Sequence, residues 1–286
     1  MPEIVRTLVT LASSQLVILL ALGVGLSIRI EDLEREVRNP VLWRTLLVAL
    51  AGVPLLAIGV AVVLPLGPVA RGVLVLMSVS PGAPLLINKA RTGSGNVTVA
   101  VAMAVALTLA ALVTLPITLS VLNRIFPLQL RASVPAMLNA IVPRLLVPLA
   151  GGAVARRAWP RGATILAPVV RVLFLIALAL VSISALTLTL RELGRVGPWA
   201  WLAMLIVTFG ATILGDLVGG PEPRDRLTAA YAVVLGNPAV GIQVATFSYP
   251  SLKAVPVIAA YVVLRVIFVM PYALVSRRRL ARSSHG

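Results

Sequence analysis

The sequence predicts an all-α integral membrane protein of about nine transmembrane helices, arranged as two copies of one unit inserted in opposite directions. Three observations carry this. Of the 286 residues, 59% are hydrophobic and 12% charged, with a mean hydropathy of +1.04; a soluble domain carries about 25% charged residues. The apolar residues fall in long runs, and at about 20 residues per span the chain has room for about eight to ten helices. Finally, Ser80-Pro81-Gly82-Ala83-Pro84 and Leu235-Gly236-Asn237-Pro238-Ala239 break two of those runs at matching places in the two halves.

The first run, about 8–28, is long enough to span and lacks a cleavage motif, so no cleavable signal peptide is expected. The next spans fall at about 41–65, 69–90 and 95–122, the middle one broken by the first cluster. A span at about 133–155 would be a connector. Spans at about 167–189, 197–219, 227–248 and 253–276 repeat the pattern, the third again broken. The copies start five spans apart, an odd number, and so insert with opposite polarity: an inverted repeat. The expected organisation is one polytopic domain over 1–286, with repeat 1 at about 8–122, the connector at about 133–155 and repeat 2 at about 167–276. Short connections rich in Pro, Gly and Arg punctuate these spans.

The formal net charge is +16. On a soluble chain this would suggest nucleic acid, but here the basic residues cluster in loops, as the positive-inside rule demands. Loops 29–44, 89–95, 156–161 and 220–226 and the tail 277–282 hold fifteen Lys/Arg, against seven on the other side. That bias places the N-terminus outside and the C-terminus in the cytoplasm, in the plasma membrane or its bacterial inner-membrane equivalent. The chain has no cysteine, and its one histidine, His285, lies in the polar tail. Disulfides, thiolate metal sites and a histidine relay are thereby excluded. No nucleotide-binding or hydrolase motif is present, so an enzyme is not expected.

The breaks carry the functional argument. Lipid cannot hydrogen-bond a broken backbone, so such segments survive only against protein or a wet cavity. A matched pair of them points to the binding site of a secondary transporter. In the first break, Pro81 and Pro84 lack amide donors and Gly82 tolerates dihedrals other residues avoid. Asn88 and Lys89 lie just beyond, and Thr98 supplies a hydroxyl on the next span. In the second, Gly236-Asn237-Pro238 is followed by Gln243, whose amide, like that of Asn237, both donates and accepts. The competing readings are an ordinary proline kink for each break and helix–helix glue for Gln243. Asp216 is the one carboxylate well inside a predicted span, and an intramembrane acid is a functional candidate by default. Its plainer role is to pair with Arg265 or Arg144 or to sit near the interface. Arg265 and Arg144 are in turn candidates to attract an anion, or equally to snorkel or pair with a helix C-terminus; Arg171, near the start of its span, is expected to snorkel.

Taken in order, several segments resemble the bile acid:sodium symporter family, within the wider bile, arsenite and riboflavin transporter superfamily. Gly25-Leu-Ser-Ile-Arg-Ile-Glu-Asp-Leu followed by Arg38-Asn-Pro resembles the end of an early span. Ser80-Pro-Gly and Gly95-Asn-Val resemble the first broken helix and the start of the next. Leu149-Ala-Gly-Gly to Arg156-Arg157 is similar to the connector, and Asp225-Arg226-Leu-Thr-Ala with Gly236-Asn-Pro-Ala-Val-Gly to the second broken helix. The resemblance implies panel and core subdomains, two discontinuous helices crossing in the core, and alternating access for an organic anion, often with sodium; this would be the nine-span form. It also exposes departures. Positions that carry oxygen ligands in sodium-coupled members fall here on Leu86 and Ile87, on Ala100 and Ala104, and on Ala232, with a glutamine position on Gly236 and only Asn237 kept. Sodium needs hard oxygen ligands, which these side chains lack. Lys89 is then a candidate to supply the missing positive charge, against a duller reading as a snorkelling lysine that sets topology.

The expected function is secondary active transport of a small organic anion, with H+ or Na+ as coupling ion and the ligand positions speaking against Na+. No cofactor, metal or nucleic acid is expected; the partners are the anion and the lipid bilayer, and the oligomeric state is open. The alternatives are an auxin-efflux-type or other ion or metabolite efflux carrier on a related fold, or a non-transporting receptor or scaffold. Arsenite efflux is disfavoured by the absence of thiols.

Overall fold

A computed structural model describes residues 3–80, 84–125, 134–193, 197–237, 241 and 254–283, and all regular structure among them is helical. In order, the helices are α1 (Glu3–Ser27), α2 (Ile30–Val37), α3 (Pro40–Leu47), α4 (Val53–Val63), α5 (Pro68–Ser78), α6 (Pro84–Gly93), α7 (Val97–Ile125), α8 (Val134–Ala158), α9 (Pro160–Leu193), α10 (Pro198–Val218), α11 (Pro223–Leu235) and α12 (Ala254–Ser283). A π-turn, Val48–Gly52, joins α3 to α4 without a break in the helix. It lies directly ahead of Pro54, whose ring and missing N–H a regular turn accommodates poorly.

Among the described residues, four helices are long and apolar enough to cross a membrane: Pro40–Val63, Pro160–Val181, Pro198–Val218 and Val257–Arg278. Gln15–Ser27, Pro68–Ser78 and Val97–Ala111 are shorter apolar helices. Large apolar side chains such as Leu55, Val63, Val113, Ile165, Ile176, Ile213 and Ile267 stand exposed along them, which suits lipid rather than water. Trp43, Trp159 and Trp199 are exposed at helix ends, where indole rings favour the membrane interface.

Several boundaries differ from the sequence expectation. The loop 29–44 holds the two-turn α2, with Glu31 and Asp32 in its first turn and Arg35 in its last, matching the helix dipole. Asn39 caps α3 by accepting from the Val41 N–H at 3.0 Å, and its amide donates to Glu36 Oε2 at 2.8 Å. Helix α9 starts at Pro160, seven residues before the predicted span, because Pro160 suits the first helical position and Trp159 alone separates it from α8.

The helices sort into two groups. Helices α1, α8 and α9 pack on one another; α4, α5, α6, α7, α10, α11 and α12 pack around α11 and the α10–α12 pair, and α9 also packs on α12 across the two groups. Small residues set the closest crossings. A Cβ on Gly25 would lie 2.3 Å from the Leu149 carbonyl oxygen, and one on Gly152 would lie 2.7 Å from that of Leu22, so α1 and α8 touch backbone to backbone. Gly215 does the same between α10 and α11, where a Cβ would meet the Ala230 Cα at 2.5 Å. Hydroxyls within the spans bond their own helix: Thr114 donates to the Ala110 carbonyl at 3.0 Å, and Thr208 to that of Met204 at 2.6 Å.

Candidate functional site

The two interruptions meet. Helix α5 ends at Ser78 and α6 begins at Pro84; α11 ends at Leu235. Gly236 follows with φ +60° and ψ −169°, a backbone that side chains rarely allow and glycine adopts freely. The next residue, Asn237, is 1% exposed, and its N–H donates to the Ser80 carbonyl at 2.8 Å. Its own carbonyl accepts from the Gly241 N–H at 3.0 Å, and the Ser80 hydroxyl donates back to the Leu76 carbonyl at 2.8 Å. Buried backbone groups freed by each break are thus partly satisfied by the other, as buried polar groups require.

A guanidinium occupies this crossing. Arg265, on α12, is 2% exposed. Its Nη1 lies 2.5 Å from the place a Cβ on Gly236 would take, and the Met77 and Ser80 carbonyl oxygens lie 3.4 and 3.5 Å from that same place. The guanidinium carbon stacks 4.1 Å from the centroid of the Tyr261 ring, one turn earlier on α12. Arg265 Nε and the Tyr261 hydroxyl are buried without a hydrogen-bond partner among the described residues. The positions matched to oxygen ligands are buried around the core and apolar: Leu86, Ile87, Ala100, Ala104 and Ala232.

A second junction ties the start of α7 to the start of α11. The Asn96 N–H donates to Thr228 Oγ1 at 2.9 Å, its Nδ2 donates to Asp225 Oδ1 at 2.9 Å, and its Oδ1 accepts from the Val99 N–H at 3.3 Å. Three such bonds contribute about 1 kcal/mol each. Asp225 stands in the first turn of α11, ahead of the apolar part of that helix. Burial raises its carboxyl above the ordinary range, the Asn96 bond opposes this, and Glu222 adds to it. Arg277 reaches the Thr92 and Gly93 carbonyls from the C-terminal end of α12.

A cleft of about 310 Å³ opens between α1, α8 and α9 on one side and α6 and α7 on the other. Arg29, Arg91, Arg156 and Thr98 line it, with Asp32 as its one carboxylate. Arg156 is held by a 2.8 Å bond from Nη1 to Thr164 Oγ1. Next to it, sharing Ser27, Arg91 and Ala167, lies a narrower pocket that includes Arg171. Three cationic side chains against one anionic one make the cleft attractive to anions.

The sequence-predicted residues divide accordingly. Pro81, Gly82, Pro238 and Gln243 lie outside the described residues, while Pro84 opens α6. Gly236, Asn237 and Arg265 come together at the crossing, and Thr98 joins the cleft. Asn88 and Lys89 are half-buried on α6, where the Asn88 carbonyl accepts from the Thr92 hydroxyl at 3.0 Å. The cation beside Gly236 is Arg265. Arg144 is exposed on α8. Asp216 instead accepts from Arg226, in an ion pair, and from the Tyr272 hydroxyl at 2.5 Å, which locks the end of α10 to α11 and α12. Sequence reasoning missed Arg29 and Arg156 as site residues because the same loop clusters already served the topology argument. The signal was that three separate basic loops contribute one arginine each.

No curated protein matches the chain. The sequence profile of the Sodium Bile acid symporter family matches residues 15–195, from α1 through α9, and stops short of the second interruption. The match covers more than half of the chain, and the protein belongs to this family of membrane transporters.

Proposed function

We propose that this protein is a secondary active transporter that moves a small organic anion by alternating access. The arginine-lined cleft carries the reading. It lies between the α1–α8–α9 group, read as the panel, and the group holding the two breaks, read as the core. Its volume lies at the lower end of the few-hundred-Å³ range of small-molecule sites. Arg29, Arg91 and Arg156 come from three loops that the charge bias assigns to the cytoplasm, so the cleft is an inward-facing vestibule, with the N-terminus outside and the C-terminal tail inside. On this reading the chain is one domain of nine spans, and the contact between Ser80 and Asn237 is where the two inverted repeats cross. Arg91, at the end of the first broken helix, is the residue best placed to hold a carboxylate or sulfonate as the core moves past the panel.

Counterflow in proteoliposomes tests this. Vesicles preloaded with aliphatic carboxylates, aromatic carboxylates, alkyl sulfonates or steroid-sized carboxylates are diluted into tracer of the same compound. At least one class should exchange faster than in protein-free vesicles, and the others should compete according to size. Exchange by none of the four, with protein that remains folded, would favour a receptor or scaffold.

A further inference from the structure

We propose that Arg265 is a tethered cation: its guanidinium neutralises the carbonyl ends of α5 and α11 at the crossing, so that the protein needs no external cation there.

The argument begins with the backbone. Both half-helices point their C-terminal ends at the crossing, α5 at Ser78 and α11 at Leu235. Each such end carries a partial charge of up to about −0.5, which the bonds to the Ser80 and Leu76 carbonyls offset only in part. Two of them converging in a buried, low-dielectric place attract a cation strongly. Among the described residues, the positions matched to sodium ligands, Leu86, Ala100, Ala104 and Ala232, are buried without side-chain oxygens, and at the break Ser80 and Asn237 are buried side chains that keep one. What the structure places against the break is a guanidinium, with Nη1 touching Gly236 beside the Met77 and Ser80 carbonyls. Arg265 is 2% exposed, and no carboxylate pairs with it among the described residues. A buried charge without compensation is expensive, so its counter-charge is assigned to the groups nearest it: the π-face of Tyr261, on which it stacks, and the carbonyl ends beside Gly236. The unpartnered Nε agrees, because the remaining Nη end is the one turned to the break. Gly236 completes the arrangement, since any side chain there would expel the guanidinium.

The inference deepens the transporter reading only in its consequence, which is transport without sodium. Its test needs no substrate. The melting temperature of the purified full-length protein is measured in sodium chloride and in choline chloride at fixed ionic strength, and then for Arg265→Lys and Arg265→Ala. A ligand that binds only the native state raises that temperature. The wild-type value should be the same in both salts. Arg265→Lys should stay close to it, while Arg265→Ala should fall by several degrees and recover at least half of the loss in low-millimolar guanidinium chloride, with no recovery in choline. A saturable sodium-dependent rise in the wild-type value overturns the proposal. So does an Arg265→Ala protein that guanidinium leaves unchanged. If Arg265→Ala does not fold, the wild-type sodium titration decides alone. Failure of every anion in counterflow would remove the transport reading and leave this result standing; a sodium-stabilised protein that still exchanges anions would remove only the tethered cation.

Discussion

Arg91 and Arg265 carry the same guanidinium in opposite surroundings. Arg91 is exposed in a cleft with other arginines nearby and a single carboxylate in view. Arg265 is sealed at the crossing of two broken helices, with carbonyl oxygens and an aromatic face around it. Water screens the first, so an attraction worth about 4 kcal/mol at a partly buried site shrinks to about 1 kcal/mol in the open. An exposed arginine can therefore exchange anions readily, whereas a buried one is committed to its surroundings. Chemistry alone would make the two residues interchangeable; on the proposed function, burial makes one a loading point and the other part of the frame.

The sharpest way to break the comparison is Gly236→Ala. A Cβ there meets Arg265 Nη1 at 2.5 Å and demands a positive φ from alanine. The expected loss is about 2 kcal/mol, a typical penalty for strained backbone, read as a lower midpoint in thermal or denaturant unfolding. Unchanged stability would mean that the guanidinium is not held against the break. A smaller effect, of a different kind, is expected at the exposed arginine. Arg91→Ala should weaken binding of the transported anion about tenfold, or 1.4 kcal/mol, as read by tracer competition. Stability should shift by no more than about 0.5 kcal/mol, as for most surface changes. A large drop in stability with unaltered affinity would reverse the assignment of the two arginines. The smallest effect belongs to Asp216→Asn. Its partner Arg226 keeps a side chain 36% exposed, so the ion pair is partly screened. We expect a loss of about 1 kcal/mol or less and anion exchange that continues at its normal rate. Loss of exchange at normal stability would instead mark Asp216 as part of the transport chemistry.

Much of this arrangement is legible in the chain. The apolar runs locate α1, the α3–α4 span, α7, α10 and α12 within a few residues, because hydropathy over some twenty positions is a strong local signal. Pro and Gly mark both breaks for the same reason. The identity of the cation at the crossing is not local. Arg265 sits inside the apolar run Val262–Met270, and its neighbours Met77 and Ser80 are supplied by the other half of the chain. Lys89, close in sequence to the first break, is the nearer candidate along the chain, whereas the guanidinium beside Gly236 comes from a helix far from it in sequence. Asp216 shows the same limit at shorter range. Its partner Arg226 is ten residues away across a Gly-Gly-Pro turn, and a reading by span places the two in different elements. Helix α2 escaped because two amphipathic turns flanked by charge look like any basic loop.

The bare contact between Gly25 and Gly152 has a mechanical consequence. With backbones of α1 and α8 touching and α9 following α8 after a single residue, these three helices form a stiff plate with little internal play. On the proposed alternating access, displacement between the two groups is borne by the other helices, whose charges travel with them. A fixed positive charge inside that group then makes each stroke with a component along the membrane normal a movement of charge through the membrane field, so that voltage does work on the protein even when nothing is bound.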